Sequence, residues 1–181
     1  DATAIWFVQR HRNEIRFLDF HQKRLEGLPY FVKYLRDWAS EKRAVYSGHY
    51  TGWDMKVHDY SNNMQRVQAA WQLGLRPAVT PAPKLKEGEG MDAVRRAFPT
   101  FYFDGMACAD GIKALRAYKR EYDEERRVFK TAALHNWASN PADAVRNGVL
   151  ASRAPRTQVF QPQALIEFDV FTDYAVDQEV A

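Results

Sequence analysis

Ser139-Asn140-Pro141-Ala142-Asp143-Ala144-Val145-Arg146 reads as the start of a helix with one carboxylate on an otherwise small, apolar face. Ser139 or Asn140 suits the N-cap. Pro141 suits the first turn, where its missing N–H has no partner to lose. Ala142 and Ala144 are small enough to let the helix approach a sheet closely. Arg146 is one helical step from Asp143, within reach of that acid or of a phosphate. Far upstream, a strand-like run from Ala44 to Thr51 ends at Gly52-Trp53-Asp54. Ligands of α/β sheets gather beyond the carboxyl ends of strands. An acid at a strand end and another on a late helix are the parts with which a fold holds a divalent cation against a phosphodiester. Each also has an ordinary reading: Asp54 as a turn residue bonding its own backbone, Asp143 as an acid favoured by the helix dipole.

Working outward, Ala2 to Gln9 and Glu14 to His21 read as two strands of a hairpin joined through Arg10 to Asn13, with Ile5, Phe7, Ile15 and Phe17 in the core. Alternation places Ile15, Phe17 and Asp19 on one side, and Arg16, Leu18 and Phe20 on the other. Pro29 opens a helix to about Ala39, with Phe31, Tyr34, Leu35 and Trp38 at helical spacing. A second helix runs from a cap at Asn62 or Asn63 to Leu73 and stops at Gly74. Arg76 to Thr80 reads as a short strand, Lys84 to Gly90 as a polar loop and Met91 to Phe98 as a short helix. Phe101 to Phe103 is extended, and Gly111 to about Tyr122 is helical, with the charges of Asp123 to Arg127 as its solvated end. The last helix spans Asn140 to about Leu150. An acidic tail follows, from Asp169 to Glu179. The order predicts an α/β fold, a mixed sheet with helices on its faces.

The 181 residues suffice for one domain with a substantial core. Lys and Arg number 26 against 23 Asp and Glu, a net charge of +3 that permits a polyanionic partner without requiring one. The single cysteine, Cys108, cannot close an internal disulfide and reads as a buried, inert thiol. No apolar run is long enough to span a bilayer, so no membrane role is expected. His11, His21, His49, His58 and His135 lack zinc-site spacing, although His135 lies just before the Asp143 helix. No phosphate-cradling GxxxxGK[ST] loop and no GxSxG nucleophile elbow occurs.

Three stretches together resemble the C-terminal nuclease domain of tailed-bacteriophage terminase large subunits, the DNA-packaging proteins. Asp1-Ala2-Thr3-Ala4-Ile5-Trp6-Phe7 is similar to the segment after the family's first catalytic strand. His49-Tyr50-Thr51-Gly52-Trp53-Asp54, with Gln65 to Gly74, is similar to its tyrosine, two residues, His-Asp strand end and the helix that follows. His135 to Arg146 resembles its Ser-His-x-Ala-Asp-Ala-Phe-Arg motif. The likeness covers about residues 1 to 150. Two family histidines are replaced, by Trp53 and Asn140. The family's principal first aspartate sits a few residues upstream, on a strand this sequence lacks.

The resemblance implies a ribonuclease H-like mixed sheet flanked by helices and lacking part or all of its first strand. Residues 1–152 form that nuclease domain, and 153–181 a C-terminal extension. It implies metal-dependent endonucleolytic cleavage of double-stranded DNA during viral genome packaging, with Mg²⁺ or Mn²⁺ in a two-metal site. Asp54, Asp143 and Asp1 are the implied catalytic and metal-binding residues. Lys56, Arg66, Lys84, Lys86, Arg95 and Arg146 are the residues expected to hold the DNA backbone. Implied partners are double-stranded DNA, an upstream packaging ATPase domain, the portal and the small terminase subunit, in the host cytoplasm. The competing readings are a catalytically incomplete DNA- or portal-binding module, and another ribonuclease H-like nuclease such as a resolvase or transposase.

Overall fold

Strand β1 (Ala2–His11) pairs antiparallel with β2 (Glu14–Arg24) in a computed structural model that describes residues 2–60, 63–77, 79–85 and 87–153. Asp1, Lys86 and the extension from residue 154 lie outside the described residues. The hairpin turns on Arg12-Asn13 alone, with Arg12 in the left-handed region at φ 53°, so both strands run longer than expected. Phe7 faces Asp19 and Val8 faces Phe17, which leaves Leu18 as one extra residue in β2. That bulge undoes the simple alternation. Phe17 and Phe20 both turn to Trp6, with ring centroids 5.3 and 4.5 Å away. Asp19 accepts the Trp38 indole N–H instead, at 2.7 Å. Of the expected core residues, Phe7 and Phe17 are buried, and Ile5 and Ile15 half-buried.

Helix α1 (Leu28–Glu41) has Pro29 in its first turn and lays Trp38 flat on Phe7, centroids 4.0 Å apart. Only the end of the strand expected over 44–51 is paired: β3 (His49–Thr51). Ala44 is held at the end of α1 by the Ala39 carbonyl, and the Tyr46 hydroxyl donates to Leu35, so the chain before β3 follows the helix rather than a neighbouring strand. Helix α2 (Arg66–Gln72) starts later than expected. Its cap is Gln65, in a reciprocal capping box with Gln68, whereas Asn63 sits in a turn at φ 52°. Strand β4 (Val79–Pro81) runs parallel to β3.

Helix α3 (Glu87–Ala97) begins four residues before Met91 and passes through Gly88 and Gly90, which read as loop residues by propensity. Strand β5 (Phe101–Phe103) adds parallel to β2, and α4 (Ala109–Ala117) follows. The charged run 123–127 does not end a helix. It is the tip of a hairpin between β6 (Arg120–Asp123) and β7 (Val128–Ala133), braced by Tyr122 against Phe129 at 5.0 Å. Helix α5 (Ser139–Arg153) is the last described element.

The chain is thus mixed α/β, with strand orders β1-β2-β5, β3-β4 and β6-β7. Among the described residues, no backbone ladder joins β1 to β3. Side chains close that seam from both faces. On one, α5 packs against β1, β3 and β4, and the Trp6 indole N–H donates to the Pro141 carbonyl at 3.0 Å. On the other, Phe7, Trp38, Tyr46 and His49 form a run of neighbouring rings. Among the described residues no helix is long and apolar enough to cross a membrane.

Candidate metal centre

Asp54 lies in a 3-10 turn, Trp53–Lys56, directly after β3 and Gly52. Its carboxylate folds back toward Gly52 and meets Arg66, the first residue of α2, at 3.2 Å. Both side chains of that pair are about half exposed (55 and 50%). Such a pair contributes about 0–1 kcal/mol, so exchanging Arg66 for another cation costs little.

Asp143 is the fifth residue of α5, one turn further in than a first-turn acid. It pairs with Arg146 at 3.0 Å, as the helical step predicts. Arg146 is the better covered partner, with its side chain 21% exposed. Its stem crosses α3 at Gly90, where a Cβ would come within 2.6 Å of Arg146 Cδ. That contact explains why α3 includes a glycine that propensity would exclude. Ser139 and Asn140, read as N-caps, both lie within α5. Ser139 is the buried first residue of α5. Its hydroxyl donates to the Leu134 carbonyl at 3.2 Å and accepts the Asn136 N–H at 2.9 Å.

Asp143 and Arg146 open into a cleft of about 330 Å³, lined also by Leu85, Tyr118, Ala133, His135 and Ser139. His135, singled out by its position just before this helix, therefore shares the cleft with Asp143.

Two contacts bring the Asp54 turn to the Asp143 helix. The backbone of Gly52, at φ −65° and ψ 158°, would suit any residue. What makes it glycine is space: a Cβ there would stand 2.4 Å from Asp54 Oδ1 and 3.2 Å from Asn147 Nδ2. Asn147 is four residues beyond Asp143, on the same face of α5. The second contact runs through the segment after β4. Lys84 lies over the Trp53 ring, 4.3 Å from its centroid, and the next residue, Leu85, lines the Asp143 cleft. The Asp54 turn and the Asp143 helix, whose acids are 89 positions apart in sequence, thus lie side by side, with Asp143 facing the cleft and Asp54 turned to Gly52 and Arg66.

The expected backbone-holding residues divide. Arg66, Arg146 and Lys84 gather around this neighbourhood, on Asp54, Asp143 and Trp53 respectively. Lys56 is exposed at the end of the 3-10 turn. Arg95 pairs with Asp92 on its own helix at 2.9 Å. Among the described residues, no three His, Cys, Asp or Glu side chains converge on one point. Asp54 and Asp143 are hard carboxylate donors, of the kind that suits Mg²⁺ or Mn²⁺ and not soft metals. Gly52 and Asn147 carry no local sequence signal for this contact. The i, i+4 relation of Asn147 to Asp143 is visible in the sequence, but its approach to Gly52 is made only by packing. Compared with protein-family models, curated proteins and solved structures, the chain matches none.

Proposed function

We propose that this protein is a divalent-metal-dependent endonuclease of double-stranded DNA, with a ribonuclease H-like arrangement and a place in a viral DNA-packaging motor. One observation carries the chemical part of the reading: Gly52 is empty of a side chain where the Asp54 carboxylate and the Asp143 helix meet. The parallel β3–β4 pair, with an acid just past the end of β3 and a helix crossing to β1, supports the fold assignment. The family likeness of residues 135–146 supports the packaging role.

In this reading Asp54 and Asp143 hold the metal through carboxylate oxygens. The bound ions supply an activated water and stabilisation of the leaving oxygen. The residues of the chain do the rest. Arg66 and Arg146 are each paired with one of the acids and stand ready to take a phosphate oxygen when that acid turns to a cation. Lys84, stacked on Trp53, adds positive charge beside the Asp54 turn. Contact with the sugar–phosphate backbone is the expected mode. The packaging ATPase, portal and small-subunit partners and the host-cytoplasmic setting belong to the same proposal.

The test is plasmid nicking in Mn²⁺. Asp143→Ala is expected to abolish nicking while leaving the circular dichroism spectrum unchanged. Cleavage at the wild-type rate by that variant removes the proposal. A DNA-binding module without chemistry would instead show salt-sensitive DNA binding and no nicking by the wild-type protein.

A further inference from the structure

We infer that the acidic tail of this chain docks on its own body: residues 165–171 lie along the cleft of helix α4, with Ile166, Phe168 and Val170 on its apolar floor and Glu167 and Asp169 on its two cations, Lys113 and Arg116. The contact needs no metal, so it stands or falls apart from the nuclease reading.

The cleft has a volume of about 340 Å³ and is lined by Gly105, Ala109, Ile112, Lys113 and Arg116. The last four stand at i, i+3, i+4 and i+7 of α4, so a single stripe of that helix forms it. No acid lines it. Among the described residues neither Lys113 nor Arg116 enters an ion pair, whereas Arg66, Arg95 and Arg146 each have a carboxylate already. Charge is divided along the sequence in the complementary way. Residues 157–181 contain five acids and no Lys or Arg, which leaves the rest of the chain all 26 cations against 18 of its 23 acids. Within the tail, Ile166-Glu167-Phe168-Asp169-Val170 alternates strictly between apolar and acidic residues. In an extended segment that alternation puts the apolar side chains on one side and the carboxylates on the other. The two acids then lie about 7 Å apart. Lys113 and Arg116, three residues apart on a helix, carry their Cβ atoms about 5–6 Å apart, a difference their long side chains take up. The tail also reaches. Helix α4 packs against α5, whose last residue is Arg153. The 12 residues 154–165 span up to about 40 Å when extended, against about 22 Å for the whole of α5. While docked, the tail withholds this cationic stripe from any outside polyanion.

The measurement is zero-length cross-linking of the full chain with a carbodiimide, which joins a lysine amine to a carboxylate touching it, read by peptide mass spectrometry. A cross-link from Lys113 to Glu167 or Asp169 is expected, in higher yield than any from the tail to Lys33, which is exposed on α1. In an equal mixture of ¹⁴N- and ¹⁵N-labelled protein it is expected within chains of one label. Phe168→Ser and Arg116→Glu leave Lys113 and both carboxylates in place, and each is expected to cut the yield severalfold, with thermal midpoints recorded to confirm folding. In ¹⁵N-labelled full-length protein, Glu167→Gln combined with Asp169→Asn is expected to shift the backbone amide signals of Ala109, Ile112, Lys113 and Arg116 and to leave those of β1 in place. A Lys113 yield no higher than that of Lys33 overturns the docking, as does a yield that Phe168→Ser and Arg116→Glu both leave unchanged. Cross-links between chains of different label assign the cleft to the tail of a second copy and overturn it too. So do α4 amides that the double variant does not move.

Discussion

His49 shows how one side chain couples this fold to pH. Its ring donates an N–H to the Arg76 carbonyl at 2.7 Å. Burial lowers its pKa below the ordinary 6.5, outweighing the raising effect of that hydrogen bond. The folded protein therefore prefers the neutral ring, while the unfolded chain takes up a proton near 6.5. The contribution of His49 to stability is complete above 6.5 and declines as pH falls from there toward the lowered folded value. His21, stacked on Tyr34 at 3.7 Å, is shifted the same way, first by burial and then by Lys23. Urea midpoints are expected to fall between pH 7.5 and 5, and His49→Gln to flatten part of that slope. At this scale the sequence was a fair guide wherever the helix period fixes the answer. The Asp143–Arg146 pair follows from a spacing of three residues. Cys108 is buried as its residue type suggests, and burial, reinforced by Asp104 and Asp19, pushes its thiol up to about 11. The approach of Gly52 to Asn147 was not legible, because nothing local to either residue encodes a contact made by packing two distant elements.

At the scale of elements, Gly111 fixes how closely α4 can lie on the β1–β2 hairpin. A Cβ there would stand 2.2 Å from the Trp6 ring and 2.8 Å from Phe20. Alanine gains up to about 1 kcal/mol of helix propensity over glycine. Forcing a rigid indole aside costs about 1–3 kcal/mol. Because the Trp6 ring is also held by its hydrogen bond to Pro141, the overlap outweighs the gain. Gly111→Ala is thus expected to lower the unfolding free energy by about 1–2 kcal/mol, read by urea denaturation at neutral pH. Two of the differences from the sequence reading belong to strands. The bulge at Leu18 reverses which residues share a face, and a single inserted residue leaves no mark on an alternating pattern. The β6–β7 hairpin hides among charged residues whose only strand signal is the cross-strand pair Tyr122–Phe129. The leading hairpin was legible from its runs of β-branched and aromatic residues, and α1 because its apolar periodicity agrees with what it buries.

Across the whole molecule, the proposed cation would touch both the turn after β3 and the helix that spans the seam. A ligand that binds only the folded state stabilises it by about 2.7 kcal/mol at a hundred times its dissociation constant. For a chain of this length that corresponds to a thermal midpoint higher by about 5–10 °C. Saturating Mn²⁺ is expected to give such a rise, and Asp143→Ala to abolish it, measured by differential scanning calorimetry. A charged cluster with no cation role would show no rise in the wild-type protein. The seam itself has a mechanical meaning. Where neighbouring strands share a ladder, their spacing is locked by repeated backbone bonds. Between β1 and β3 it is set by interlocked rings on one face and by α5 on the other. Contacts of that kind slide by fractions of an ångström where a ladder would have to break. The spacing of β1 from β3 is therefore an adjustable one, and the stiffness of a single helix governs how far it can drift.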